Sequence, residues 1–332
     1  MNKKYNVTGI GNALVDIEFE VSDAFLEKNK IEKGMMTLVD EDRQSDLMAL
    51  INTKTSKLQC GGSAANTLIA LSQFGGNGFY CCKVANDELG RFFVEDLKEA
   101  GVAHNLNAEH LEEGITGKCL VMVTADAERT MNTFLGITQN FSLAEVKENS
   151  IRDSEYLYIE GYLVTSPSAK EAMLNSKKMA EEHDVKVALT FSDPSMVKYF
   201  KSGFEEVIGQ RVDLLFANEE EAKLYTGKEN LLDAREELKK SARHFVITQG
   251  KNGAMIYDGD TFIDIEPYPI QAIDSNGAGD MFAGAFLYGI TNGHSYASSG
   301  KLASMASSKV VNQFGPRLKW HEAKDILGRL HP

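Results

Sequence analysis

Short apolar runs of strand composition recur along this chain, and stretches with helical periodicity separate them. That alternation constrains the fold more than any other feature, because parallel strands need long crossover connections and helices usually supply them. The strand candidates are Tyr5–Gly11, Gly78–Val84, Glu155–Ile159, Val185–Phe191, Asp213–Ala217 and His244–Thr248. Each is rich in Val, Ile, Phe or Tyr and is bounded by polar residues or glycine. Between them, Glu88–Ala100 sets Leu89, Phe92, Phe93, Leu97 and Ala100 on one helical stripe. Ser168–His183 carries Ala172, Met173, Met179 and Ala180 between charged positions. The pattern predicts an α/β fold with a mostly parallel central sheet and helices on both faces.

Two regions break the rhythm. Leu14–Val21 and Met35–Val39 read as strands ahead of the first long helix, and Lys118–Thr124 with Arg129–Phe134 reads as a hairpin around the turn Ala125–Glu128. Four extra strands without crossover helices predict a small accessory β lid, formed by insertions at about 12–40 and 114–136 in one large domain spanning 1–332. From Asn276 the chain turns helical. Gly277–Ile290 is apolar nearly all round, the signature of a buried helix.

Composition narrows the partners. With 35 Lys and Arg against 48 Asp and Glu, the formal charge is −13. That excludes a broad electrostatic footprint for nucleic acid while leaving room for a local phosphate pocket. Asp16 and Glu18 interrupt the apolar stretch behind the N-terminal lysines, so no signal peptide is expected. No segment reaches the ~18 apolar residues of a membrane span. A cytoplasmic protein, monomer or homodimer, is the expectation. Cys60, Cys81, Cys82 and Cys119 match neither a zinc nor a CxxC spacing, which predicts buried reduced thiols, with Cys81 and Cys82 on opposite faces of a strand.

The densest chemistry lies in Asp274-Ser275-Asn276-Gly277-Ala278-Gly279-Asp280. A polar turn feeds glycines into the start of a buried helix, leaving backbone N–H groups free to bind an anion. Asp280 falls in the first turn, where it suits either of two uses. It complements the helix dipole, or it accepts a proton from a hydroxyl attacking a bound phosphate. Gly61-Gly62-Ser63-Ala64-Ala65-Asn66 opens the first long helix, either as a plain entry turn or as a close approach to a hydroxylated ligand, with Asn66 donating and accepting. Asp16 lies within the apolar run Ala13–Ile17 and needs a partner. Asn218-Glu219-Glu220-Glu221 has the composition of a helix cap. Thr248-Gln249-Gly250-Lys251-Asn252-Gly253 closes a strand and leads into the hairpin Ala254–Ile265. Gly9-Ile10-Gly11 lacks the third glycine of a dinucleotide fingerprint.

Taken in order along the chain, these segments resemble the PfkB, or ribokinase-like, family of carbohydrate and nucleoside kinases. The segment at 274–280 resembles the family's DTxGAGD signature, with Ser275 where Thr is usual. The resemblance implies Asp280 as catalytic base and Gly277, Ala278 and Gly279 as the anion hole for the transferring phosphoryl group. It implies substrate contacts from Asn12, Asp16, Gly61, Gly62, Ser63 and Asn66. It further implies nucleotide contacts from Asn218, Thr248, Gly250, Gly253 and Asn312, with Ser304–Asn312 beside adenine. Asn218 and Glu221 would organise Mg²⁺ through water, and Asp274 is a candidate K⁺ ligand. Arg129 is either a solvated charge or an arginine of the lid placed over the phosphoryl group.

GNALVDIEFEVSDAFLEK and Tyr158-Ile159-Glu160-Gly161-Tyr162 resemble the adenosine-kinase-like subgroup, in which Tyr162 would stack on a base or serve as a core residue. The implied activity is ATP-dependent phosphorylation of a ribose-bearing small molecule, such as adenosine at its 5′-OH. The alternatives are a kinase of ribose or fructose, and a non-catalytic binder of a nucleoside or sugar with the same fold.

Overall fold

The computed structural model describes residues 3–50, 57–126 and 128–330. Its strands are β1 Tyr5–Ile10, β2 Leu14–Glu20, β3 Met36–Leu38, β4 Lys57–Gly61, β5 Gly78–Cys81, β6 Ala103–His104 and β7 Gly117–Val123. They continue as β8 Arg129–Phe134, β9 Ser154–Ile159, β10 Lys186–Thr190, β11 Val212–Asn218, β12 Ala242–Thr248, β13 Ala254–Tyr257 and β14 Phe262–Ile265. The helices are α1 Asp23–Lys28, α2 Glu41–Leu50, α3 Ser63–Gln73, α4 Glu88–Glu99, α5 Glu148–Arg152 and α6 Pro167–Glu182. After them come α7 Pro194–Ile208, α8 Glu219–Thr226, α9 Leu231–Leu238, α10 Ala278–Thr291, α11 Tyr296–Val311 and α12 Trp320–Leu330.

Among the described residues nine strands form the large sheet, in the order β14-β13-β12-β11-β10-β9-β1-β5-β6. Its pairings are parallel from β12 through β6, and only the β12–β13–β14 meander is antiparallel. Side chains alternate between two cores, as the pleat requires. In β9, Tyr156 and Tyr158 face a core shared with α3, α4, α10, α11 and α12, while Leu157 and Ile159 face one shared with α5 to α9. Cys81 and Cys82 enter opposite cores, and all four cysteines are buried and free.

Helix α10 is buried along almost its whole length. Met281, Phe282, Phe286 and Leu287 are each nearly or fully buried, and each contributes roughly 1.5–3 kcal/mol. A Cβ at Gly284 would collide with the Thr67 carbonyl of α3, so the two helices pack at backbone distance.

The small sheet departs from expectation in two ways. Among the described residues it has five strands, in the order β3-β8-β7-β2-β4, because Lys-Leu-Gln-Cys-Gly at 57–61 pairs antiparallel with β2. Helices α1 and α2 also lie between β2 and β4. They bury Leu26 and Leu47 against Ile17, Phe19, Leu120 and Met122, so this chain covers one face of its own sheet. Ala127, in the predicted turn, lies outside the described residues. Among the described residues no helix is long and apolar enough to cross a membrane.

Candidate active site

Ligands of parallel α/β sheets bind beyond the carboxyl ends of the strands. Here Asn12 follows β1, Glu160 follows β9 and Ser192 follows β10, and all three line one cavity. The uncovered face of the small sheet forms its opposite wall. Alternate residues of β8 and the position after it, Arg129, Met131, Thr133 and Leu135, face inward, as do Leu14 and Asp16 of β2 and Met36 and Leu38 of β3. Tyr162, in the turn Gly161–Thr165, lines the same space.

Asp280 enters from the first turn of α10. Ser63 Oγ donates to its Oδ1 at 2.6 Å, and Asn66 Nδ2 donates to its Oδ2 at 3.3 Å. Lost hydration pushes the Asp280 pKa upward, while the Ser63 bond, the Arg129 charge and the Asn66 bond pull it back. Gly277 caps α10 at φ +69° with no side-chain acceptor. The N–H groups of Gly277, Gly279 and Asp280 therefore have no protein acceptor among the described residues, which leaves free donors of the kind that can bind an anion. Arg129 Nη1 donates to Asn276 Oδ1 at 3.1 Å, which holds the guanidinium beside this turn.

A second cavity opens on the other side of Gly279, lined by Thr248, Gly250, Gly253, Ala278, Ser304 and Ser307 among others. Gly279 lines both cavities. One backbone turn, rich in free donors and carrying a carboxylate, thus sits where the two cavities meet.

The pfkB family carbohydrate kinase profile matches residues 33–323. This chain belongs to that family. The kinase is 34% identical to the adenosine kinase from Sinorhizobium meliloti, over 98% of this chain and 99% of that one, with a TM-score of 0.92. It is 33% identical to a probable sugar kinase protein from Rhizobium etli CFN 42, with the same coverages and the same TM-score. The adenosine kinase of Dictyostelium discoideum is 26% identical over 95% of this chain and 96% of its own length. Family membership implies ATP as the phosphoryl donor.

Asn12, Asp16, Gly62, Ser63, Asn66, Arg129, Tyr162, Gly277, Gly279 and Asp280 meet around the kinase's first cavity. Asp16 is only 6% exposed and takes no hydrogen bond to its carboxylate among the described residues. Burial raises its pKa to about 7, against the pull of Arg317 and Arg129. Gly61 lies beneath the Asp16 carboxylate, which a Cβ there would strike. Asn66 Oδ1 and Asn276 Nδ2 are buried without partners, an acceptor and a donor left over beside the cavity.

The remaining candidates are placed differently. Asn218 and Glu221 form a capping box on α8: Asn218 N and Nδ2 donate to Glu221 at 2.8 and 3.0 Å, and Glu221 N donates back at 2.8 Å. Neither residue lines the two cavities. Asp274 is fully buried and accepts from Asn276 N and Gly315 N, each at 2.9 Å. Asn312 lies in an adjoining groove that shares Tyr268, Pro269, Ile270 and Ser308 with the second cavity.

Sequence reading missed Glu160. Its Oε1 accepts from Asn12 N and Nδ2, both at 3.2 Å, and its Oε2 accepts from Ala64 N at 2.8 Å, capping α3 where Gly62 cannot. Its place just past a central strand was the available signal. Ser192 was missed too. It holds φ +69°, unusual for a residue with a side chain, and its Oγ accepts from Gly161 N at 3.0 Å, fixing the residue before Tyr162.

Proposed function

We propose that this kinase transfers the γ-phosphoryl group of ATP to the 5′-hydroxyl of a nucleoside, with adenosine as the first candidate. The observation that carries the reading is the meeting of the two cavities at Gly279, with Asp280 held toward the first by Ser63 and Asn66. The acceptor occupies the first cavity and ATP the second. The ribose hydroxyls pair with the Asp16 carboxylate and the unpartnered Asn66 Oδ1. As the acceptor oxygen bonds to the γ-phosphorus, its proton passes to Asp280 and the bond to the β,γ-bridging oxygen breaks, releasing ADP. The N–H groups of Gly277, Gly279 and Asp280, with Arg129, stabilise charge on the group in flight. The five-stranded sheet acts as the lid that excludes water.

Mg²⁺ keeps several waters and takes few protein ligands, so it fits as part of the substrate, carried by triphosphate oxygens and water and neutralising their charge. Asn218 and Glu221 satisfy each other, and no step runs through them.

Preference for a nucleoside over a free sugar rests on the wall formed by Leu14, Met36, Leu38, Met131, Leu135 and Tyr162. An apolar wall suits the face of a base, whereas a polyol would leave hydroxyls unpaired against it. Similarity to the probable sugar kinase keeps ribose and fructose as the second reading. The test is ATP-to-ADP turnover with adenosine, inosine, guanosine, ribose and fructose. We expect adenosine to exceed ribose in kcat/KM by about 100-fold or more, in line with roughly 1–3 kcal/mol per stacked base plus the buried apolar area. Equal or better turnover of a free sugar would overturn the nucleoside assignment.

A further inference from the structure

Three consecutive residues between α11 and α12 touch both halves of the site. Gly315 N donates to Asp274 Oδ2 at 2.9 Å, and Asp274 Oδ1 accepts from Asn276 N, so residue 315 is tied to the phosphate turn. Pro316 packs on Gly277 so closely that a Cβ at 277 would collide with the proline ring. The next residue reaches the other way. Arg317 Nη2 donates to the carbonyl oxygen of Cys60 and, at 2.8 Å, to its sulfur, and it pairs with Asp96 of α4 at 2.8 Å. Asp96 Oδ2 in turn accepts from Cys60 N at 2.7 Å. The ion pair thus grips Cys60 by both its N–H and its C=O.

Cys60 directly precedes Gly61 and Gly62, and the Asp16 carboxylate rests against Gly61. Arg317 is also the strongest favourable charge acting on Asp16. Its partners lie far off in sequence, 257 residues away in the case of Cys60, so local folding does not explain the contact.

We infer that Arg317 is a positioning residue: with Asp96 it fixes the acceptor turn Cys60–Ser63 relative to the phosphate turn Asn276–Asp280, through the short lever 315–317. The inference rests on the reading of the first cavity as the acceptor site. A shift of about 1 Å between reacting partners costs about 100-fold in rate, so the lever governs transfer without touching either substrate. Because 315 and 316 hold the phosphate turn independently, losing Arg317 loosens the acceptor side alone.

The experiment compares Arg317→Met, Arg317→Lys, Asp96→Asn and the Met/Asn double variant in the full-length kinase. Amide hydrogen exchange is read first, without substrate. Protection at Cys60–Asn66 should fall at least tenfold in Arg317→Met and partly return in Arg317→Lys, while Gly277–Met281 changes less than threefold. Steady-state kinetics on adenosine and ATP follow. The KM for adenosine should rise and kcat fall, together lowering kcat/KM about 100-fold, while the KM for ATP stays within threefold. The double variant should be no worse than Arg317→Met, because one grip is broken only once.

Unchanged protection at Cys60–Asn66 would overturn the inference, as would equal loss at both turns or parallel rises in both KM values. If Arg317→Met fails to fold, Arg317→Lys and Asp96→Asn decide the same question. Absence of wild-type turnover with every nucleoside and sugar would defeat the acceptor reading instead, and hydrogen exchange would still decide the role of Arg317.

Discussion

Ser63 and Asp280, 217 residues apart in sequence, meet through a 2.6 Å hydrogen bond from hydroxyl to carboxylate. The bond joins the di-glycine turn to the turn Asn276–Asp280 and aims one carboxylate oxygen. It also opposes the upward pressure of burial on the Asp280 pKa. In its proposed role as base Asp280 must be ionised, so on that reading activity falls as pH drops through that pKa. In Ser63→Ala the opposing bond is gone and the pKa rises further. The acid limb of the kcat/KM profile should therefore move to higher pH, with about a tenfold loss at neutral pH, the scale of one hydrogen bond to a charged group. An unmoved acid limb would show that Ser63 does not tune Asp280.

Two glycines of one motif should respond in opposite ways. Gly277 has φ +69° and stands against Pro316, so Gly277→Ala should lower Tm and abolish transfer together. Gly279 has nothing within 4 Å of an added Cβ and lies in the helix. Gly279→Ala should keep or slightly raise Tm, yet lose activity by about 100-fold or more, because its methyl projects where the cavities meet. Calorimetry and turnover on the two variants check this. Full activity in Gly279→Ala would move the transfer point elsewhere.

Tyr162→Ala should raise the KM for adenosine about 5- to 150-fold, from roughly 1–3 kcal/mol of lost stacking, and leave that for ribose almost unchanged. An equal effect on both acceptors would make Tyr162 part of the scaffold rather than a base contact.

Most of the large sheet was legible in the sequence because its central strands are buried on both faces and read as continuous apolar runs. The strand β4 was not, since Lys-Leu-Gln-Cys-Gly at a sheet edge has neither a run nor a clean alternation. Helices α1 and α2 are short and were hidden between strands. At the site, the stretch from Asp274 to Asp280 was legible because contiguous glycines at a helix start carry their chemistry locally. Glu160 and Arg317 were not, because the partners that define them lie 148 and 257 residues away. The apolar wall of Met36, Leu38 and Met131 was equally hidden, since a cavity wall has the same composition as a core.

Stability of the free kinase should fall with pH across the neutral range. Burial raises Asp16 and Glu160 to about 7 and Glu221 to about 8. Between roughly pH 4, where such groups titrate in the unfolded chain, and those values, the folded state binds more protons, so stability decreases as pH rises. His104, whose pKa burial lowers, acts the other way below its ordinary value of 6.5 but is one group against three. Thermal unfolding without ligand should give a lower Tm at pH 8 than at pH 6. A Tm that rises across that interval would contradict these assignments.

The most direct test of the central claim is the turnover number of Asp280→Asn with ATP and adenosine, measured beside its affinity for ATP. Asn keeps the shape of the side chain but cannot take the proton. We predict a fall in kcat of about 10²- to 10⁴-fold, the usual contribution of a general base, with ATP binding within threefold of wild type. Turnover near that of wild type would contradict the assignment of Asp280 as the base and, with it, the account of how the two cavities work together.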